Sequence, residues 1–221
     1  TFNKKLKFKF NNFYHPSIEN PIKNNINLRK NIIITGPNAA GKTTTIKATI
    51  INIILTQQIG YGFFDNANNS IFDYIHCYLN IPDTCSRDSL FQAEARRCKN
   101  ILDIIEKHPN KKHFCIFDEL YSGTNPYEAI SSACSYLSHI SKNKNVRFLL
   151  TTHYIRLCKL FDKKTISNKS MKTLFKKNND PHYTYKITNG ISTVKGGVSV
   201  LKNLNYPDNI INMTNKILDK M

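Results

Sequence analysis

Gly36, Gly41, Lys42 and Thr43 stand in the spacing G-x-x-x-x-G-K-T, within the stretch Gly36-Pro37-Asn38-Ala39-Ala40-Gly41-Lys42-Thr43. These residue types in this order point to a bound nucleoside triphosphate. Phosphate oxygens need several backbone N–H groups aimed at one place, and glycines let the main chain curl without a Cβ in the way. A helix opening at Lys42 adds the positive end of its dipole. The Lys42 ammonium is expected to reach the β- and γ-phosphates, and the Thr43 hydroxyl to ligate Mg²⁺. Gly36, Pro37, Asn38, Ala39, Ala40, Gly41, Lys42, Thr43 and Thr44 are the expected nucleotide-binding residues.

A second group follows the apolar run Phe114-Cys115-Ile116-Phe117, which ends in Asp118-Glu119. A buried strand ending in two acids places them at the carboxyl edge of a sheet, where open α/β sheets bind ligands. In this Walker B pattern Asp118 is expected to hold Mg²⁺ through water, and Glu119 to orient or deprotonate an attacking water. The bland alternative is a pair of strand-end acids that cap the next helix. His153, after Thr151-Thr152 at another strand end, is a candidate γ-phosphate sensor or water-positioning group, and otherwise a structural histidine. Catalysis is therefore expected from Glu119, His153 and Lys42, with Thr43 and Asp118 at the metal.

These side chains need particular elements to hold them. Asn31-Ile32-Ile33-Ile34-Thr35 is a β-branched run, expected of a strand buried on both faces. Residues 43–56 keep isoleucines at 46, 50, 53 and 54, a helical spacing without Gly or Pro. The order strand, glycine loop, helix is what the motif requires. Strands are expected at 2–10, with lysines on one wet face, at 59–64, at 70–79 after a polar turn, and at 146–150. Helices are expected at about 89–107 and 127–140. The Asn- and Pro-containing stretch 11–30 reads as loop that could lie over the base, with Ile22 its apolar candidate. Residues 171–175 and 183–187 read as a hairpin across Asn178-Asn179-Asp180-Pro181, and 198–204 and 208–221 as amphipathic helices.

The 221 residues suffice for one α/β domain, with 1–30 an N-terminal strand and loop, 31–162 a nucleotide-binding core and 163–221 a C-terminal hairpin and helices. A chain starting at Thr1 is expected to be part of a longer protein. The 32 Lys and Arg against 15 Asp and Glu give a net charge of +17, which suggests a polyanionic partner beyond the nucleotide. Most of that excess is lysine scattered among Asn and Ile, a composition that codon bias also produces. Cysteines at 77, 85, 98, 115, 134 and 158 form no C-x-x-C pair and read as reduced thiols of an intracellular compartment, cytoplasm or nucleus. No apolar run is long enough to span a bilayer and no signal sequence precedes the first strand, so no membrane partner is expected.

Together these segments resemble the ATPase domain of the MutS family of DNA mismatch-repair proteins, in a divergent, MutS-related branch. Thr35-Gly36-Pro37-Asn38 with Gly41-Lys42-Thr43 matches the family's T-G-P-N-x-x-G-K-[ST]. His15-Pro16 is similar to its His-Pro, Asp118-Glu119-Leu120 with Gly123-Thr124 to its D-E-L-x-x-G-T, and Thr152-His153-Tyr154 to its T-H-Y. Ser89, Phe91 and Glu94 look like its S-x-F-x-x-E, and Gly196-Gly197 with the helices after it like its C-terminal part. The resemblance implies an α/β P-loop NTPase fold of ABC ATPase-like type: a mostly parallel central sheet flanked by helices, an antiparallel N-terminal strand region and C-terminal helices. It implies ATP and Mg²⁺ as ligands, hydrolysis to ADP and phosphate, and a homodimer or heterodimer in which each site is completed by the partner's signature residue. That residue is Ser89 here, with Ser86 the alternative. Nucleotide state would then be coupled to the binding of mismatched or branched DNA, held mostly by other domains. The only Phe-x-Glu, Phe117-Asp118-Glu119, lies in the Walker B strand, so no mismatch reader is expected in this chain; the alternative role is an ATP-gated dimerisation or clamp module. An SMC- or transporter-type ATPase would carry L-S-G-G-Q, which is absent.

Overall fold

Isoleucine side chains at 32, 33 and 34 must leave opposite faces of a strand, so a run buried at every position demands a core on each side of its sheet. The computed structural model, which describes residues 6, 8–79, 89–162, 164–175, 181–194 and 196–218, has that arrangement. Strand β1 (Phe8–Phe13) pairs antiparallel with β2 (Asn24–Asn27) and with β4 (Asn66–Asn69), making a small sheet ordered β2-β1-β4. The larger sheet contains β3 (Asn31–Thr35), β5 (Tyr74–Tyr78), β6 (His113–Asp118), β7 (Val146–Thr152), β8 (Ile166–Phe175) and β9 (Pro181–Asn189). Its order is β5-β6-β7-β3-β8-β9, parallel throughout except for the β8–β9 hairpin.

Helices α1 (Lys42–Ile59), α2 (Leu90–Lys107), α3 (Pro126–Ile140) and α4 (Ile155–Leu160) follow β3, β5, β6 and β7, and α5 (Gly197–Asn203) and α6 (Asp208–Leu218) come last. On one face of the large sheet Ile33, Phe117, Phe148 and Leu150 pack with α2, α3 and α4 through Cys98, Ile101, Ala133, Leu137 and Leu157. On the other, Ile32, Ile34, Phe114, Ile116 and Leu149 meet Ile46, Ile50 and Ile53 of α1 and Phe8, Phe10 and Ile26 of the small sheet. Successive residues of β3, β6 and β7 thus alternate between two cores. Across the described residues the protein is a mixed α/β structure with an antiparallel sheet and a mostly parallel one.

Several expected elements sit differently. Residues 59–64 are not a strand: α1 runs on to Ile59, and the following turn uses its backbone on Asn52, whose Oδ1 accepts from Phe63 N at 2.6 Å, and on Tyr14, whose N–H reaches Phe63 O at 3.0 Å. The polar turn expected after it contains β4, and the expected loop 11–30 contains the end of β1 and all of β2. Both new strands are rich in asparagine, a poor strand former, and exist because each edge of β1 supplies a ladder while Ile26 reaches the core. The first half of the expected hairpin begins earlier, at Ile166, where residues 166–170 pair with β3 itself. Lys9 is exposed between buried Phe8 and Phe10, the expected wet face; residues 1–5 and 7 lie outside the described residues, as do 176–180 of the hairpin turn.

Candidate functional site

The turn from β3 into α1 is shaped by two left-handed residues, Ala39 at φ 62° and Gly41 at φ 93°. Gly41 is required twice over: its φ strains any side chain, and a Cβ there would lie 3.1 Å from Tyr185 Cδ1. Gly41 caps α1 without a side-chain bond and no acid stands in the first turn, so the N-terminal amides and the positive end of the helix face outward uncompensated by a carboxylate of their own helix. Lys42, 5% exposed, folds its ammonium back over the turn to donate to Gly36 O at 2.9 Å and Pro37 O at 3.2 Å. Pro37 and Ala40 are buried, whereas Asn38, Ala39 and Thr44 are exposed.

Parallel pairing aligns the ends of β3, β6 and β7, with Asp118 beside Thr151 and Thr35 beside Thr152. That register brings the acids to the glycine turn. Asp118 Oδ2 accepts from Thr43 Oγ1 at 2.9 Å, and Oδ1 accepts a short bond from Thr151 Oγ1. Glu119 sits at φ 51°, a left-handed conformation that turns it off the strand while its N–H bonds Thr151 O at 3.0 Å. Its Oε1 lies 3.6 Å from Lys42 Nζ and 3.7 Å from His153 Nδ1. The His153 imidazole, and after it the Lys42 ammonium, hold the Glu119 carboxyl below its usual value against burial, which pushes it up. His153 is half exposed and packs on Tyr154 with ring centroids 4.3 Å apart.

Beside this cluster opens a cavity of about 560 Å³. Of the expected residues, Asn38, Ala39, Gly41, Lys42, Thr43, Thr44 and Ile22 line it, together with Tyr14 and His15 of the loop after β1. The cavity thus joins a cationic, amide-rich end to an apolar end, a shape that accepts an anion carrying a flat apolar group. Thr43 and Asp118 offer a hydroxyl and a carboxylate, hard oxygen donors that suit a small divalent cation retaining most of its own waters. Among the described residues there is no cluster of three or more His, Cys, Asp or Glu that would form an all-protein metal cage.

Tyr185, unforeseen from sequence, closes the cavity from the hairpin. It has φ 55°, and its position is pinned by Asn24, which donates to Tyr185 O at 2.8 Å and accepts from Ile187 N at 2.8 Å. Nothing local marks this tyrosine; only the pairing of β8 with β3 carries β9 to the glycine turn. Thr151, which the sequence offers only as a strand-end residue before His153, supplies the second hydroxyl bonded to Asp118. Ser89 does not line the cavity. It is the N-cap of α2 and shares a capping box with Gln92, a structural employment of its hydroxyl. Ser86 lies outside the described residues.

The described cysteines 77, 98, 115, 134 and 158 are free thiols, and no described helix is long and apolar enough to cross a membrane. Comparison with known proteins bears on most of the chain. The family model of MutS domain V matches residues 32–221. A DNA mismatch repair protein MutS of Clostridium botulinum (strain Loch Maree) is 33% identical over 191 residues, covering 85% of this chain and 20% of the relative. Its namesake from Clostridium perfringens is 31% identical over 194 residues, covering 86% of this chain and 21% of the relative. The chain spans about a fifth of the length of these relatives. With the family's model aligned from the glycine-turn strand to the last helix, the chain belongs to the MutS domain V family.

Proposed function

We propose that this chain is the ATP-binding and ATP-hydrolysing domain of a MutS-like DNA mismatch-repair protein, built on a P-loop, ABC ATPase-like fold. One observation carries the assignment: Lys42 and Thr43 at the start of the helix after β3, Asp118 and Glu119 at the end of β6, and His153 just after β7 meet at one rim beside a cavity with an apolar far end. Residues 36–44 wrap the phosphates, with the first-turn amides of α1 donating and Lys42 moving its ammonium from the loop carbonyls to the β- and γ-oxygens. Ile22 and Tyr185 flank the base. Thr43 and Asp118 fit Mg²⁺, which when bound supplies charge neutralisation at the phosphate oxygens. Glu119 takes the proton of the attacking water as general base, and its lowered pKa keeps it ionised to do so. His153 holds Glu119 from the other side and orients the same water. Lys42 stabilises the charge that develops as ADP and phosphate separate.

In this reading, which extends the resemblance drawn from the sequence motifs, the domain works as a homodimeric or heterodimeric switch in the reducing interior of a cell. Ser89 would face the partner's nucleotide, and DNA would be gripped mainly by parts of the protein beyond this chain. The test is Mg²⁺-dependent ATP turnover. Lys42→Ala is expected to abolish nucleotide binding, and Glu119→Ala to keep binding while turnover falls by roughly 10²–10⁴-fold. Undiminished turnover in Glu119→Ala refutes the catalytic assignment. Equal affinity of the longer protein for mismatched, branched and perfect duplex would instead favour a clamp without mismatch recognition.

A further inference from the structure

A carboxylate outside the cluster has unusual surroundings. Glu94, on the second turn of α2, is 2% exposed, and no lysine or arginine forms a salt bridge with it among the described residues. Its Oε1 accepts from Ser122 N at 3.0 Å and Ser122 Oγ at 2.9 Å, and its Oε2 from Gly123 N at 3.0 Å. Burying a carboxyl group is costly unless its oxygens are bonded, and here three donors meet two oxygens. All three donors belong to the turn that directly follows Asp118 and Glu119.

That turn is under tension. Glu119 and Tyr121 both hold left-handed conformations, at φ 51° and 58°, which are unfavourable for a residue with a side chain. Something must hold them. Tyr121 N donates to Tyr78 OH at 3.3 Å, and the Tyr121 ring packs on Phe91 of α2 with centroids 5.7 Å apart. At Gly123 a Cβ would come within 2.7 Å of both Leu90 Cγ and the Phe91 backbone nitrogen, so the turn lies directly on the first turn of α2. Glu94 supplies the directional part of this contact.

We infer that Glu94 is a positioning residue for Glu119: its carboxylate clasps the turn after the strand, fixes Glu119 in its left-handed conformation, and so ties the aim of Glu119 to the placement of α2. This rests on the ATPase reading above for its catalytic consequence, while the clasp itself does not. An amide at 94 keeps one oxygen but turns an NH₂ toward a second donor, so the clasp loses at least one bond with little change of volume.

The experiment compares the parent chain with Glu94→Gln, Glu119→Gln and the double variant, by steady-state ATP turnover and by amide hydrogen exchange without nucleotide. Glu94→Gln is expected to lower kcat by about tenfold or more with KM for ATP within about twofold, because misaiming a catalytic group by a fraction of an ångström costs rate rather than binding. The double variant is expected to be no slower than Glu119→Gln alone, since Glu94 acts only through Glu119. Exchange at Ser122 and Gly123 should rise in Glu94→Gln. Unchanged kcat, a parallel loss of kcat and affinity, or additive losses in the double variant overturn the inference. If Glu94→Gln fails to fold, Ser122→Ala, which removes one of the three donors and leaves both backbone bonds, is expected to lower kcat about threefold at constant KM; no change there overturns it equally. If the parent binds ATP and never turns it over, the ATPase reading fails by itself. Exchange then decides alone: unaltered protection of residues 119–123 in Glu94→Gln refutes the clasp, and raised exchange there upholds it.

Discussion

Acidification is expected to destabilise this protein through one buried histidine. His76 Nε2 lies 3.0 Å from His113 Nδ1, and His113 Nε2 lies 2.9 Å from His108 O. A carbonyl only accepts, so His113 carries its proton on Nε2 and His76 donates from its own Nε2 into His113 Nδ1. The rings stack at 5.3 Å, with Tyr74 5.0 Å from His113. Burial first, then the neighbouring His113 and Arg97, push His76 down from 6.5 to about 4. Between those two values the unfolded chain binds the extra proton and the folded chain does not, so stability is full above pH 6.5 and falls as the pH drops toward 4. One pKa unit is worth about 1.4 kcal/mol, so the loss from this group reaches about 2 kcal/mol at pH 5 and about 3 kcal/mol near pH 4. The assay is urea unfolding at pH 7.5 and pH 5 for the parent and for His76→Gln, whose amide can still donate to His113 but does not titrate. The parent should lose about 2 kcal/mol more than the variant over that interval. Equal losses in the two chains would refute the account of the pair.

Three further outcomes follow from particular contacts. Tyr185→Ala removes the aromatic wall that covers Gly41 and should weaken ATP binding by about tenfold in equilibrium titration; unchanged affinity would remove Tyr185 from the site. Asp118→Asn replaces an acceptor of two hydroxyl bonds by a group with one acceptor, so the Mg²⁺ concentration for half-maximal turnover should rise at least about tenfold. Asn52→Ala deletes a fully buried amide that donates to Ala48 O and Tyr14 O and accepts from Phe63 N, and should cost about 2–3 kcal/mol in urea unfolding.

Elements with a strong local signal were legible in the sequence. The isoleucine run of β3, the apolar run of β6 and the long amphipathic α2 announce themselves because every residue in them answers to burial at a fixed period. The strand-end acids and His153 could be placed at one rim because parallel strands align their carboxyl ends. What could not be seen depends on distant pairing. Asn24–Asn27 and Asn66–Asn69 have the composition of turns and become strands only because β1 lies between them. Tyr185 reaches the cavity only by way of β8, and Glu94 shows its task only once the turn after Glu119 is folded against α2. Ser89 illustrates the opposite difficulty, since the serine that the family motif singles out is also the residue a helix start requires.

The position of β3 inside its sheet governs how the chain can be made. It is flanked on one side by β7 and on the other by β8, which comes long after it in the chain order. A nascent chain emerging from the ribosome therefore cannot finish the pairing of the glycine turn's supporting strand until residues 166–170 have been translated. Until then one edge of a strand with an isoleucine run at its centre waits open, an invitation to sticky pairing with other chains. Premature termination before residue 166 would leave that edge permanently bare. Shortened versions of this domain should be lost to aggregation before any question of activity arises.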